Sequence, residues 1–262
     1  MLHRMELDAI QRAAQEQFAR QSERYGRGHI LENVQDVAAA LERISLPKVA
    51  RALDVATGAG HTGVFVASLG HEVTVTDVAQ PMLDRAQELA AQRGVRIQAR
   101  QHPAENLPYP DNSFDLVTCR VAAHHFSSPE KFVAEASRVL ARSGYFLLID
   151  GTVEDGQAEA ERWMHDIEKL RDPSHHRFLT PQQWSGLCEK SGLTVEHVLL
   201  APFKQPDLNW YFEAANTPAA NRGRVLAMIA DAPESARRLF GLGEEEGKIV
   251  WWWQRLTLIA KA

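Results

Sequence analysis

The chemistry-bearing part of this chain centres on Gly58, Gly60 and Gly63, which recur at the spacing GxGxxG. Glycine serves there because a chain turning sharply from strand into helix brings its backbone close to a ligand, and the helix start offers free N–H groups. By itself the spacing suits any doubly wound nucleotide or dinucleotide site, or a plain tight turn. Two carboxylates narrow the choice. Asp54 sits four residues before Gly58, where a dinucleotide-binding strand usually runs apolar. A carboxylate there repels a pyrophosphate and favours a ligand with ammonium or sulfonium charge. Asp77 lies nineteen residues beyond Gly58, at the end of the next apolar run, the place of an acidic group that accepts hydrogen bonds from ribose hydroxyls. The pair points to a cationic ligand with a ribose and no phosphate.

Arg120, His124 and His125 follow the apolar run 114–121, at the rim where open α/β sheets bind ligands. A histidine titrating near neutrality can take a proton from a hydroxyl or amine. His124 is the candidate catalytic residue, set against a structural or substrate-wall role for the same side chain. His175 and His176, in Asp172-Pro173-Ser174-His175-His176-Arg177, form a loop able to close on a substrate. The eleven histidines show no three-ligand metal spacing, and no metal site is expected.

These residues need a rigid frame. Short apolar runs at 51–56, 72–77, 95–100, 114–121 and 145–150 read as buried strands. Helical segments lie between them. Pro81 opens one, Ser128 and Pro129 start another that runs through Leu140, and Gly144 follows its end. The alternation implies a doubly wound parallel sheet. A helix at 158–170, a helix opened by Thr180 and Pro181 and closed by Gly192, and strands at 194–200 and 249–260 complete a seven-stranded, mostly parallel α/β fold. Residues 201–248 read as helical pieces broken by Pro206, Pro218, Gly223 and Pro233. Two amphipathic helices, carrying Leu7, Ile10, Ala14 and Phe18, then Ile30, Val34, Val37, Leu41 and Ile44, meet at a hinge of Gly26 and Gly28. The expected organisation is a helical lid at 1–45, a core at 46–200, a helical cap at 201–248 and a final strand at 249–262.

Composition agrees with a folded chain that has a small-molecule partner. There are 29 Lys and Arg against 34 Asp and Glu, a net charge of −5, the wrong sign for a nucleic-acid or anionic-membrane binder. No apolar run approaches the roughly 20 residues of a membrane span and no secretory segment opens the chain, so a cytoplasmic location is expected. Cys119 and Cys188 stand far apart and read as reduced thiols.

Several blocks, in joint order, resemble the class I S-adenosylmethionine-dependent methyltransferases, in the small-molecule branch related to quinone-biosynthesis methyltransferases. The blocks are Leu53 to Gly60, Asp77 with Pro81-Met82-Leu83, Ala104 to Asp115, His124-His125-Phe126 and Arg138-Val139-Leu140. The resemblance spans 18–150. It implies a Rossmann-like fold, S-adenosylmethionine as cofactor and S-adenosylhomocysteine as product. It implies that Thr57, Gly58 and Gly60 pass beside the methionine part and that Asp54 faces its amino group directly or through water. Asp77 would bind both ribose hydroxyls, Val78 and Met82 would pack on adenine, and Ala104 would donate its N–H to adenine. Pro103 stands where relatives often carry Asp or Gly, which leaves adenine to Glu105 or backbone groups. Arg120 either meets the cofactor carboxylate or contributes only backbone. Tyr25, beside Arg27 at the lid hinge, either contacts the cofactor or packs the cap. Trp210, Tyr211 and Phe212 are candidate walls of an acceptor pocket. Trp251, Trp252 and Trp253 should alternate faces on the last strand, and Glu244 to Glu246 should be a solvated turn. The alternatives in other classes are a non-catalytic cofactor-binding regulator and an NAD-dependent oxidoreductase; Asp54 and the block from Ala104 to Asp115 disfavour the latter.

Overall fold

A computed structural model describes residues 6–25 and 29–262. The hinge at Gly26, Arg27 and Gly28 lies outside the described residues. Helices α1 (Ala9–Gln21) and α2 (Gln35–Leu41) precede strand β1 (Arg51–Val55). Then α3 (His61–Ser68), β2 (Glu72–Asp77), α4 (Gln80–Gln92), β3 (Ile97–Gln101), β4 (Phe114–Arg120), α5 (Pro129–Val139) and β5 (Leu140–Thr152) alternate as expected. These strands are parallel, in the order β3-β2-β1-β4-β5. After α6 (Ala158–Arg171) and α7 (Pro181–Lys190) come β6 (Thr194–Lys204), then α8 (Leu208–Ala214), α9 (Ala219–Ala230) and α10 (Glu234–Leu239). A small hairpin, β7 (Gly243–Glu245) and β8 (Lys248–Val250), leads to β9 (Trp252–Lys261). Strand β9 enters between β5 and β6, antiparallel to both, which closes a seven-stranded, mostly parallel sheet.

The central strands are apolar on both faces because helices cover both. Leu53, Val117, Phe146 and Leu148 pack with Phe132 and Val133 of α5 and Trp184 of α7. On the opposite face Val75, Leu116 and Leu147 pack with Val37 and Ala40 of α2, Val66 of α3, and Leu83 and Ala86 of α4. Thr180 caps α7 in a reciprocal box with Gln183, and Ser128 caps α5 through the Lys131 N–H.

Several boundaries differ from expectation. The second N-terminal helix is not continuous: Ile30–Glu32 is one 3-10 turn, and the extended Asn33 separates it from α2. With Val37 fully buried, α2 belongs to the helix layer of the sheet and not to a lid ending at 45. Leu140 already opens β5. Gly223 does not break a helix but lies inside α9, where its loss of about 1 kcal/mol of propensity is outweighed by the burial of Val225 and Ile229. The expected last strand is divided by Trp251 into β8 and β9, and Glu244 and Glu245 lie in β7 with Glu246 in the exposed turn.

The cap has its own apolar core. Trp163, Met164 and Ile167 of α6 pack with Tyr211, Phe212, Val225, Ile229, Ala236 and Phe240, so α6 goes with the cap and not with the 46–200 core. Trp251 and Trp253 meet Tyr211 at ring distances of 4.8 and 6.2 Å, whereas Trp252 turns away toward Lys204. Trp210, Tyr211 and Phe212 therefore serve this inner core, and none of them lines the main cavity described next.

Candidate active site

A cavity lies at the carboxyl ends of β1, β2 and β4, beneath α1. Its walls carry Thr57, Gly58, Asp77, Val78, Met82, Ala104, Glu105 and Arg120, eight of the eleven expected cofactor residues. Asp54 and Gly60 stand outside the lining, and the side chain of Tyr25 lies outside the described residues.

Asp54 is 2% exposed and its oxygens are engaged within the protein. Oδ2 accepts from Thr57 Oγ1 at 2.5 Å and the Gly63 N–H at 3.0 Å, and Oδ1 accepts from Thr118 Oγ1 at 2.7 Å. It ties the glycine turn to β1 and β4. Burial raises its pKa, opposed by these hydrogen bonds. Gly60 has φ +87°, and a Cβ there would stand 2.6 Å from Ala86 Cβ, so this glycine permits α3 to approach α4. Ala56 and Val121, the residues just after β1 and β4 at the cavity wall, also take left-handed backbones, φ 53° and 51°. For β-branched Val121 this is strain stored at the rim.

Asp77 faces the cavity. Oδ2 accepts the Gly58 N–H at 3.0 Å and Oδ1 the Ala79 N–H at 2.9 Å, which fixes the carboxylate plane. Burial pushes its pKa up to about 6, with the Asp54 charge adding to the shift and the N–H donors opposing it.

Two of the expected ligand residues that line the cavity are also bonded within the protein. Arg120 spends its guanidinium on the segment before and within α2: Nε on Asp36 Oδ2 at 3.0 Å, Nη1 on the Leu31 carbonyl at 2.9 Å, Nη2 on the Asn33 carbonyl at 2.6 Å. Glu105 accepts from the Ser127 N–H and Oγ on one oxygen and from Gln11 Nε2 of α1, at 2.8 Å, on the other.

The lid contributes residues that sequence reasoning passes over. Gln11, Ala14 and Phe18 of α1 line the cavity, with Leu31 beyond the hinge. Gln15 Nε2 donates to the Val78 carbonyl at 2.8 Å, and Gln17 Nε2 to the Ala215 carbonyl at 2.6 Å. One signal was present in the chain: Asp8 and Gln11 form a capping box, placing Gln11 at the start of α1.

Of the two histidines after β4, His125 lines the cavity and His124 does not. His124 lies behind it, Nδ1 2.7 Å from Asp150 Oδ1 and its backbone N–H on Asp150 Oδ2 at 2.9 Å. The loop at 172–177 does not line the cavity: the His176 and Arg177 N–H groups both donate to the His124 carbonyl, and His175 is buried. Among the described residues no three His, Cys, Asp or Glu side chains converge to hold a metal ion.

Sheet order, the inserted antiparallel β9 and a cavity over the glycine turn define the class: a doubly wound α/β enzyme of Rossmann-like methyltransferase topology. A family model described as a methyltransferase domain matches residues 53–148. The uncharacterized methyltransferase YcgJ of Bacillus subtilis (strain 168) is 30% identical over 224 residues, 85% of this chain and 88% of that protein. The crystal structure of YcgJ aligns with a TM-score of 0.82 at 27% identity, over 87% of this chain and 98% of that one. The demethylmenaquinone methyltransferase of Thermus thermophilus is 37% identical over 102 residues, 38% of this chain and 46% of that protein. The chain belongs to the S-adenosylmethionine-dependent methyltransferases, and the family implies S-adenosylmethionine binding.

Proposed function

We propose that the chain moves the methyl group of S-adenosylmethionine to a small organic acceptor bound beneath α1, leaving S-adenosylhomocysteine. The cavity over the glycine turn carries this reading. Its lining is mostly apolar with a few polar groups, as in small-ligand sites, and Gln11, Ala14 and Phe18 of α1 form one side of it. One end has the chemistry of a nucleoside site. Each oxygen of Asp77 keeps a lone pair after accepting its backbone N–H, which suits two ribose hydroxyls. Val78 and Met82 offer an apolar bed for adenine, with Ala104 and Glu105 at its edge, and Thr57 and Gly58 border the methionine part. Asp54 acts from behind the turn, through its charge and the loop it fixes. Arg120 acts by holding the chain around Leu31 against the site. Phe18 and Phe126 beside His125 offer a largely apolar place for the acceptor.

When bound, the sulfonium supplies an activated methyl group whose transfer discharges it. The chain's residues hold the acceptor's nucleophilic atom in line and exclude water, so proximity provides much of the acceleration. The demethylmenaquinone methyltransferase among the relatives is named for a small acceptor, which supports the same size class here. Among the described residues no helix is long and apolar enough to cross a membrane. Cys119 and Cys188 are buried free thiols, which fits the proposed cytoplasmic setting.

Calorimetry with S-adenosylhomocysteine and a metabolite-library screen for its release test the proposal. Binding together with release on a small metabolite is expected. No binding, or turnover on macromolecules alone, would refute it.

A further inference from the structure

We propose that His125 is the base that takes the acceptor's proton, its Nδ1–H held by Ser174 so that Nε2 presents a lone pair to the cavity. This rests on the methyl-transfer reading and assigns the acceptor a class: a molecule methylated at a protic oxygen or nitrogen.

The tautomer follows from the partners. His125 Nδ1 lies 3.0 Å from the Ser174 carbonyl oxygen and 3.1 Å from Ser174 Oγ. A carbonyl offers only lone pairs, so the nitrogen facing it carries the hydrogen. Ser174 Oγ cannot supply one, because it donates to Asp172 Oδ1 at 2.7 Å. Nε2 is then the unprotonated nitrogen. Among the described residues it has no hydrogen-bond partner, yet it is not one of the polar atoms sealed without a partner in the packing, and the ring lines the cavity. Phe18 of α1 meets the ring edge-on at 4.8 Å and closes over it.

His124 is built for a different state. Burial disfavours its charged form, but the Asp150 carboxylate outweighs that and raises its pKa. Burial, then the neighbouring His124 at a ring distance of 4.1 Å, lowers the pKa of His125. The charged and titratable groups around His125 are thus His124, the Asp150 and Asp172 carboxylates, and His175 at 6.4 Å. Together with burial they leave His125 neutral at pH 7, with Nε2 unprotonated, and on balance they lower its affinity for a proton in the resting site.

In the step, the acceptor's O–H or N–H bond breaks and its proton passes to Nε2. The freed electron pair bonds the methyl carbon while the carbon–sulfur bond breaks, its pair staying on sulfur. The positive charge moves from the sulfonium to the imidazolium. As the sulfonium charge vanishes, the imidazole nearby gains proton affinity.

Nitrogen-15 NMR of histidine-labelled protein with S-adenosylhomocysteine at pH 7 tests the tautomer, His125 being assigned by the signal absent from His125→Gln. A neutral ring protonated at Nδ1 is expected; an Nε2–H tautomer or an imidazolium overturns the proposal. The kinetic test uses the acceptor found in the library screen and ring-substituted analogues of graded acidity. His125→Gln should lower kcat roughly 10²- to 10³-fold for analogues protonated at the assay pH. Those already ionised should lose little, while affinity for S-adenosylhomocysteine stays unchanged. Equal loss for both, or an acceptor that surrenders no O–H or N–H proton, overturns it. Failure to bind S-adenosylhomocysteine at all in the wild type would instead refute the methyl-transfer reading, so the two failures are distinguishable.

Discussion

Replacing Asp77 with Asn should weaken cofactor binding without weakening the fold. With its pKa moved from 3.8 to about 6 by burial, the ionised carboxylate costs the empty protein roughly 3 kcal/mol at neutral pH, at about 1.36 kcal/mol per pKa unit. The amide removes that cost. Its NH₂ group, however, must face one of the two backbone donors, Gly58 or Ala79, and an unmet N–H costs about 1–3 kcal/mol. The two nearly cancel, so the unfolding midpoint at pH 7 should stay within a few degrees of wild type. Binding has no such compensation. A charge-assisted hydrogen bond to a ribose hydroxyl is worth roughly 1.5–3 kcal/mol, so losing one should raise the Kd for S-adenosylhomocysteine about 10- to 100-fold. The pH dependence provides a second reading. Because the folded pKa lies above the unfolded one, the folded state holds more protons between pH 4 and 6. Wild-type stability relative to Asp77→Asn therefore improves as the pH falls through that window and is flat above it. Wild-type affinity should fall as the pH drops below about 6, while that of the variant stays level. Calorimetry from pH 5 to 8, with thermal melts at the same points, measures both. A wild-type Kd constant over that range, or an Asn variant that binds as tightly, would show that this carboxylate does not hold the ligand.

Gly60→Ala should destabilise by about 2–4 kcal/mol in urea melts, since its Cβ would meet Ala86 Cα at 2.8 Å, whereas Gly58→Ala, with nothing within 4 Å, should lose only about 1 kcal/mol; equal losses would deny the close approach of α3 and α4. Arg120→Met leaves Asp36 and two carbonyls without their partner, and about 3 kcal/mol should be lost. The Arg255 guanidinium, 3.5 Å from Asp36, compensates only in part, and an unchanged midpoint would refute the pinning role. Hydrogen exchange should be fast in α1, which contributes no side chain to the buried apolar clusters, and slowed by S-adenosylhomocysteine, while α9 and α10, which place Val225, Ile229 and Ala236 in the cap's core, exchange slowly throughout. Fast exchange across the cap, or a slow α1 without ligand, would refute that division.

That division could not be read from the chain. Proline-broken helical pieces at 201–248 look like a lid because their breaks are visible locally, whereas the partner they pack on, α6 (Ala158–Arg171), lies well upstream and joins them only in three dimensions. The doubly wound sheet is legible for the opposite reason. Its buried parallel strands need continuous apolar runs, and the crossovers need caps, and both are written within a few residues of each element. Segment 30–44 fails between the two cases: Ile30, Val34, Val37 and Leu41 keep helical spacing, but the Asn33 break and the guanidinium of Arg120 that holds it are settled by a residue 84 to 89 positions away.

The candidate site divides along the same line. Residue type and spacing identify Asp54, Glu105 and Arg120 as special, and each is tied by hydrogen bonds to another part of the protein. Asp54 closes the glycine turn, Glu105 fastens α1, and Arg120 anchors the approach to α2. A motif reports that a charged group must stand at a place; it does not report which partner neutralises it. Asp77 differs from Asp54 in lining the cavity, and from Glu105 in having a single donor on each oxygen, one of them from the glycine turn itself. The histidine pair makes the same point at the scale of one residue. Adjacent in the chain and equal in chemistry, His124 is taken by Asp150 and His125 by the Ser174 carbonyl, and only the second partner leaves a neutral ring with its lone pair at the cavity.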